Sequence, residues 1–412
     1  MLLRTKRCRE DFLVKRQSAI LTVLIILIFP ALLQAAPFSI VGPRALGMGG
    51  ASVAAVNDST AVYWNPASLA DNRRVDIRIP VEAGVKDHMG IKDTWTNIND
   101  IFPLVQAGDP AAITQMQSIL AQLDKPKTGA DIDGSTGLFV SIPVSKSAIA
   151  FSAMGLGYAG VYPTIDSLHT SATVTDPNFV AFNDSTATGI GIVLREPVVS
   201  VATSFAEKLF IGINAKMIYA DTYVSSQSLT STTFNSFKDD VKKNKTSTSK
   251  ASLDAGILFV PVESVRIGVV GRDLNKPSFP VEGVFPQKQA TGDVTLVTRT
   301  DEVTLSPQYR AGLAWRPSKT FTLSADYDLR KNETLTPGYE SQIAAVGLEK
   351  TFLSESVIVR AGANKNTADS SSKAIYTAGF GFRIYAFRLD LAAGYDFKER
   401  QGDASVDIAL RF

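Results

Sequence analysis

The sequence predicts an all-β fold, a fourteen-stranded antiparallel transmembrane barrel with an N-terminal plug and a small helical extracellular loop. Three observations carry that prediction. An export signal opens the chain, apolar and polar residues alternate along long segments of the remainder, and the connections between those segments are short and long in strict turn.

The export signal comes first. Arg4, Lys6, Arg7, Arg9, Lys15 and Arg16 form a positive start, interrupted by Glu10 and Asp11. Ala19 to Leu33 is apolar and uncharged, and Gln34-Ala35-Ala36 is small at the end. This is the plan of a secretory signal peptide spanning 1–36, with cleavage near Ala35 or Ala36. The alternative is an uncleaved anchor helix, but fifteen residues broken by Pro30 fall short of the ~20 such a helix needs. Cys8 leaves with the segment, so the exported chain has no thiol and no disulfide framework. The exported part carries 36 basic and 38 acidic residues.

Long two-faced strands follow. In Thr320–Arg330, Phe321, Leu323, Ala325, Tyr327 and Leu329 share one face, while Thr322, Ser324, Asp326, Asp328 and Arg330 share the other. Period two means a strand with one apolar and one polar side. Phe387–Lys398, Leu209–Tyr219, Gln308–Arg316 and Lys373–Ile384 repeat the pattern. Such segments exceed the ~5–6 residues of a soluble sandwich strand and approach the ~9–11 that cross a bilayer at a tilt. Charged residues at mid-strand suit a lumen. Asp326, Asp328, Asp390 and Asp396 are expected to pair there with Arg310, Arg330, Arg360, Arg383 and Arg388.

The connections are the strongest of the three. Strands are expected near 73–86, 132–144, 147–161, 186–204, 208–223, 247–260, 264–273, 307–316, 319–330, 340–352, 356–365, 374–385, 387–398 and 403–412. Tight turns at 144–146, 205–207, 261–263, 316–318, 353–355 and 385–387 alternate with the long connections 87–131, 162–185, 224–246, 274–306, 331–339, 366–373 and 399–402. Short turns at one end and long loops at the other are the layout of an outer-membrane barrel, with the long loops outward. The last strand agrees, ending on an apolar face of Val406, Ile408, Leu410 and the terminal Phe412.

Residues 37–72 do not read as a strand. They are rich in Gly, Ala and Ser, which permit close backbone approach. Gly47, Gly49 and Gly50 lack the spacing and the Lys-Ser/Thr of a phosphate loop. A compact plug inside the lumen fits the composition better, ahead of a barrel at 73–412. The stretch GPRALGMGGASVAAVNDSTAVYWNPASLA resembles the N-terminal hatch of the FadL/OMPP1 superfamily of outer-membrane barrels, closest to its conjugal-transfer TraF-like and PorV-like branches. The resemblance rests on Arg44, Gly47, Gly49 and Gly50 in RALGMGGA, on Asp58, and on Asn65-Pro66-Ala67. It implies a plug anchored to the wall. Asn65 would hold a turn through its amide while Pro66 fixes the backbone. Tyr63 and Trp64 either pack on the wall or line an apolar conduit.

The outer loops hold the remaining signals. Residues 93–124 read as helical: Asp109-Pro110 is a helix start, and Ile113, Met116, Ile119, Leu120 and Leu123 recur at helical spacing. Ile98, Ile101, Phe102 and Val105 form a shorter stripe. These helices form a lid packed on its own loop, capture an apolar molecule, or dock a partner protein. Loop 224–246, Ser/Thr-rich with a charged run, reads as a solvated surface loop. His88 and His169 are isolated.

Other classes are excluded. At 45% apolar residues the chain is not disordered, and a net charge of +2 offers no footprint for nucleic acid. One cysteine and two histidines cannot build a zinc cage. No cofactor or metal is expected, and no catalytic constellation argues for an enzyme. The expected function is passive uptake or passage of a small hydrophobic molecule through the outer membrane. The alternative implied by the resemblance is an accessory barrel for conjugal transfer or protein secretion. Outer-membrane lipid surrounds the barrel in both, with a hydrophobic small molecule or a protein as partner.

Overall fold

In the computed structural model, residues 32–34, 38–87, 90–126, 128–354, 356–396 and 401–412 are described. The expected signal segment and His88 therefore lie outside the described residues, apart from the short strand Leu32–Gln34. Fourteen strands close into one antiparallel barrel. They are β1 (Asp76–Asp87), β2 (Ala130–Val144), β3 (Ser147–Thr164), β4 (Thr186–Phe205), β5 (Leu209–Ser228), β6 (Lys245–Val262) and β7 (Val265–Arg272). The second half is β8 (Gln308–Ser318), β9 (Phe321–Asp328), β10 (Ile343–Phe352), β11 (Val357–Asn366), β12 (Ala374–Ile384), β13 (Phe387–Asp396) and β14 (Gln401–Arg411). Closure is made by β14 on β1, where Val75 and Phe412 exchange backbone hydrogen bonds at 3.0 and 3.1 Å. Among the described strands of the barrel no backbone edge is left for lipid to meet.

Alternation decides which face looks where. On β13, Phe387, Leu391, Ala393 and Tyr395 are exposed while Arg388, Asp390, Ala392 and Asp396 are buried. The exposed apolar side chains recur on every barrel strand, a surface no water-soluble monomer carries and one suited to hydrocarbon. Aromatic residues sort to its two rims. Tyr309, Tyr327, Tyr376 and Tyr395 lie toward the long loops, and Phe205, Phe259, Trp315, Phe352 and Phe387 toward the turns. Phe387 to Tyr395 is ~27 Å along the strand, close to the ~25 Å apolar band of such barrels once tilt is allowed for. Among the described residues no helix is long and apolar enough to cross a membrane.

The tight turns are hairpin loops of two to four residues. Ala206 and Glu207 both have positive φ (50° and 60°), as do Leu353 and Ser354 (49° and 54°). Turns with both central residues at positive φ match the right-handed twist of the strands they join.

The outer loops differ from the sequence reading in two places. The expected helices are present as Ile91–Gln106 and Pro110–Leu123, the second capped by Asp109, which accepts the N–H groups of Ala111 and Ala112 at 2.9 Å. The loop read as merely solvated contains a third helix, Phe234–Lys243. Thr233 caps it, and Phe234, Phe237 and Val241 form an apolar stripe that serine and threonine on either side obscured in the sequence. Phe237 packs on Trp95 at 4.8 Å between ring centres. The long connection 274–306 is likewise not irregular. Ser278–Lys288 and Val294–Thr304 pair as a hairpin, with Phe279, Val281, Phe285 and Val303 buried. Thr222 of β5 ties it down by donating to the Pro280 carbonyl at 2.7 Å.

Candidate functional site

Residues 38–72 fill the lumen at the turn end. Helix α1 (Pro43–Gly47), the short helix α2 (Ala61–Trp64) and the 3-10 turn Pro66–Asp71 are joined by small residues. Nearly every side chain from Phe38 to Ala70 is buried. The plug has its own aromatic centre: Phe38 stacks on Trp64 and Tyr63 meets both edge-on, with ring centres 5.4–5.5 Å apart. Their polar atoms are satisfied within the plug, Tyr63 Oη donating to the Ser39 carbonyl at 2.7 Å and Trp64 Nε1 to the Val41 carbonyl at 2.9 Å. Burial pushes the Tyr63 phenol up to about 12, so it stays a donor. Tyr63 and Trp64 thus form the core of the plug, and Tyr63 also packs on the wall, where the Arg272 guanidinium of β7 lies 3.8 Å from its ring centre.

Each residue of the hatch motif has a place. Arg44 Nε and Nη2 grip Glu349 of β10 at 2.9 and 3.0 Å, and Nη1 reaches Asn57 at 2.9 Å. Asn65 Oδ1 accepts the Ala67 N–H at 3.1 Å, which turns the chain at Pro66, while Nδ2 donates to the carbonyls of Val53 and of Ile257 on β6. Gly49 has φ +68° and lies against the Ala363 backbone, where a Cβ would stand 2.6 Å from the carbonyl oxygen. Its N–H donates to Thr377 Oγ1 at 3.0 Å. A Cβ on Gly47 would stand 3.0 Å from the Gly379 Cα, and Gly50 has φ +92°.

Asp58 organises the other flank. It accepts the Thr60 N–H at 3.0 Å, and Arg78 Nε and Arg44 Nη1 lie 3.8 and 3.9 Å away. Next to it, Ser59 bonds Asp76 of β1 through both its N–H (2.9 Å) and its hydroxyl (2.7 Å).

The wall presents further grips that the sequence did not show. Asp326, expected to meet an arginine across the lumen, turns instead to the plug and accepts the Ser52 and Val53 N–H groups at 2.7 and 2.8 Å. The plug backbone brings donors that no side-chain pattern reveals. Asn214 donates to the Val62 carbonyl, Arg316 to that of Ala55, and Arg266 pairs with Asp71. Of the expected ion pairs, Arg310 meets Asp328 and Arg360 meets Asp390, each at 2.6 Å. Arg330 is exposed beyond the end of β9. Lys216, fully buried, is held by Glu196, Asp254 and Asp273 at 2.9–3.3 Å.

Asp58 gives the plug a pH dependence. Burial opposes its ionisation, but the guanidiniums of Arg78 and Arg44, helped by the Thr60 hydroxyl, hold the carboxyl down at about 2, against an ordinary 3.8. A depressed carboxyl stabilises the folded state above its unfolded value, by about 2 kcal/mol here, and loses that contribution as pH falls toward the folded value. Protease susceptibility of residues 38–72 is therefore expected to rise between about pH 4 and pH 2, and Asp58→Asn is expected to remove that part of the transition.

Above the plug, at the loop end, is a chamber of about 150 Å³. Its floor is Phe38, Ser39, Ile40, Gly49 and Gly50, its apolar walls include Tyr158, Ile343 and Ile375, and Leu335 and Tyr339 come from the loop above. The volume suits a body the size of benzene. The loop residues offered by the sequence for contact lie elsewhere. Ile113, Met116 and Leu120 are buried in the separate core of the helical cap with Trp95, Ile98, Phe179 and Leu229. Ile119 is half-buried beside a surface groove formed with Thr94, Asn97, Gln115 and Gln122. His169 is not isolated: its Nδ1 meets Asp166 Oδ2 at 2.6 Å within the loop between β3 and β4.

The structure is a closed fourteen-stranded antiparallel barrel, apolar outside, with a folded N-terminal plug inside. The chain belongs to the family described as F plasmid transfer operon TraF protein, whose model matches residues 62–328. The fold is shared with solved structures of low sequence identity. The toluene transporter TbuX of Ralstonia pickettii is 12% identical and superposes with a TM-score of 0.57 over 92% of this chain and 99% of that one. A Pseudomonas aeruginosa FadL homologue (12%, TM-score 0.55, 91% and 98%) and the P. putida toluene transporter TodX (11%, TM-score 0.55, 92% and 99%) share it too. No curated protein matches the chain.

Proposed function

We propose that the chain, exported and freed of residues 1–36, resides in the outer membrane and passes a small, mainly apolar molecule inward. The chamber is the observation that carries this reading. It lies on the loop side of the plug, is largely apolar, and has room for one small guest. The likeness in fold to structures named as toluene transporters supports the same class of cargo. Below the chamber the ion pairs and hydrogen bonds of the plug fill the lumen, so onward passage requires the plug to shift.

The test is uptake of radiolabelled toluene or p-cresol into proteoliposomes containing the purified barrel. Saturable uptake is expected, and Ile375→Trp, which fills the chamber, should abolish it. Uptake equal to that of protein-free vesicles overturns the reading. A second reading has one specific observation behind it, the match to a family named for an F plasmid transfer operon. On that reading the barrel is an accessory of conjugal transfer, its helical cap the docking face. A deletion strain that loses mating efficiency but keeps uptake favours it.

A further inference from the structure

The chamber is charged as well as apolar. Glu82 and Gly84 sit on β1, between Asp133 of β2 and Asp403 of β14. A Cβ on Gly84 would stand 2.5 Å from Asp403 Oδ1 and 3.0 Å from Asp133 Oδ1, so the two carboxylates converge over the glycine. With Asp131, four carboxylates line one side of the cavity. Hydroxyls reach three of them: Ser135 on Glu82 (3.3 Å), Ser39 on Asp133 (3.4 Å) and Thr336 on Asp131 (2.7 Å). The facing cations are Lys86, whose ammonium lies 4.1 Å from the Tyr339 ring centre, and Arg310. Arg310 is already committed through Nε to Asp328 at 2.6 Å. Four carboxylates therefore meet two cations in the chamber.

Arg310 adds an independent observation. Its side chain is only 2% exposed and its guanidinium lies 4.1 Å from the Phe38 ring centre, in the chamber wall. Its Nη2 has no hydrogen-bond partner among the described residues. A buried donor left unpaired is costly, and an acceptor delivered by a guest removes that cost. Arg310 touches Phe38 and Asp133 touches Ser39, so the open donor and the carboxylates flank consecutive residues of the plug. A purely apolar guest answers neither group. Burying it beside them would desolvate charge for nothing in return.

We propose that the chamber binds a small amphiphile: a benzene-sized body bearing a protonated amine for Glu82, Asp133 and Asp403, and an acceptor oxygen for Arg310. The apolar walls hold the ring, the carboxylates the ammonium, and Nη2 the oxygen. The inference rests on the chamber being the entry site of the passage reading, and it narrows the cargo to an arylalkylamine with a distal oxygen.

Tyramine is the probe, with phenethylamine (no oxygen), p-cresol (no ammonium) and toluene as comparisons. Binding is measured by titration calorimetry on the full-length barrel in detergent. Tyramine is expected to bind at least tenfold more tightly than p-cresol and several-fold more tightly than phenethylamine. Asp133→Asn and, separately, Glu82→Gln should each reduce the preference over p-cresol about tenfold, with folding checked by heat-modifiable migration. Equal binding of toluene or p-cresol and tyramine overturns the inference, as does an unchanged ratio in folded Asp133→Asn. Failure of the two readings is separable. Passage of toluene without tyramine binding sinks the inference and leaves the passage reading. Tyramine bound by a barrel that transports no probe supports the inference and sinks passage.

Discussion

Gly347→Val is expected to unseat the plug and leave an intact, open barrel. Gly347 faces the lumen on β10, and a Cβ there would stand 2.3 Å from the Met48 carbonyl oxygen and 2.6 Å from its Cα. Those are backbone atoms, which cannot rotate away as a side chain can. Its cross-strand partner Gly362 is as crowded, 2.3 Å from the Gly49 nitrogen. The same close approach recurs around the wall, at Gly212 against Pro66 and at Gly256 against Asn65. Overpacking a core costs about 1–3 kcal/mol when the surroundings can adjust. Here the adjustment is retreat of the plug, which also breaks the Arg44–Glu349 grip one turn away. The wall ladder needs no change, since Val is a good strand residue. In planar bilayers the variant is expected to show large, long-lived conductance steps where the parent is closed, and proteases should cut within 38–72. Gly157→Val is the control: it lies on β3 facing outward, with nothing within 4 Å of the added Cβ. Conductance unchanged from the parent in Gly347→Val, with Gly157→Val alike, would remove the claim that these glycines seat the plug.

The wall was legible in the sequence because its signal is local. Thr320–Arg330 shows its two faces without reference to any other residue, and the structure places Phe321–Asp328 accordingly. Turn lengths are equally local, so the fourteen strands and their alternating connections could be read in order. The hatch motif was legible as a motif, and Asn65 performs the turn expected of it. The role of the wall glycines was not legible, because a glycine on an inward face looks like any other until the plug lies against it. Asp326 illustrates the same limit: its partners are backbone N–H groups 273 and 274 residues away, which carry no sequence signature. The chamber is harder still. Phe38, Glu82, Asp133, Arg310, Leu335 and Asp403 come from the plug, four strands and a loop, and only closure of the barrel assembles them. The helix at Phe234–Lys243 was hidden for a different reason. Its apolar stripe is short, and it gains stability by packing Phe237 on Trp95 of a distant loop.

Arg78→Leu is expected to destabilise the plugged barrel by about 3–5 kcal/mol, the cost of leaving buried charge uncompensated. Arg78 lies on the inner face of β1. Its Nε bonds Asp76 at 2.9 Å and its Nη1 bonds Asp407 of β14 at 2.5 Å, with Asp58 of the plug 3.8 Å away and Asp390 of β13 3.9 Å away. All five groups are buried. One guanidinium therefore joins three wall strands and the plug at the seam where the barrel closes. Leucine fills much of the same space, so the loss is one of charge more than of volume. Adding Asp407→Leu should recover part of the stability, since an apolar pair replaces a buried ion pair at little net cost. Recovery should be incomplete, because Asp58 and Asp76 keep their need for a cation. The measurement is the temperature at which the folded, fast-migrating form is lost on electrophoresis, a transition that reports the barrel. Protease cutting within 38–72, followed in parallel, reports the plug, and it should rise at lower temperature than the barrel transition in the single variant. If Arg78→Leu matches the parent in both, the four carboxylates are not charged in the folded state, and the closing seam is held by its backbone ladder alone.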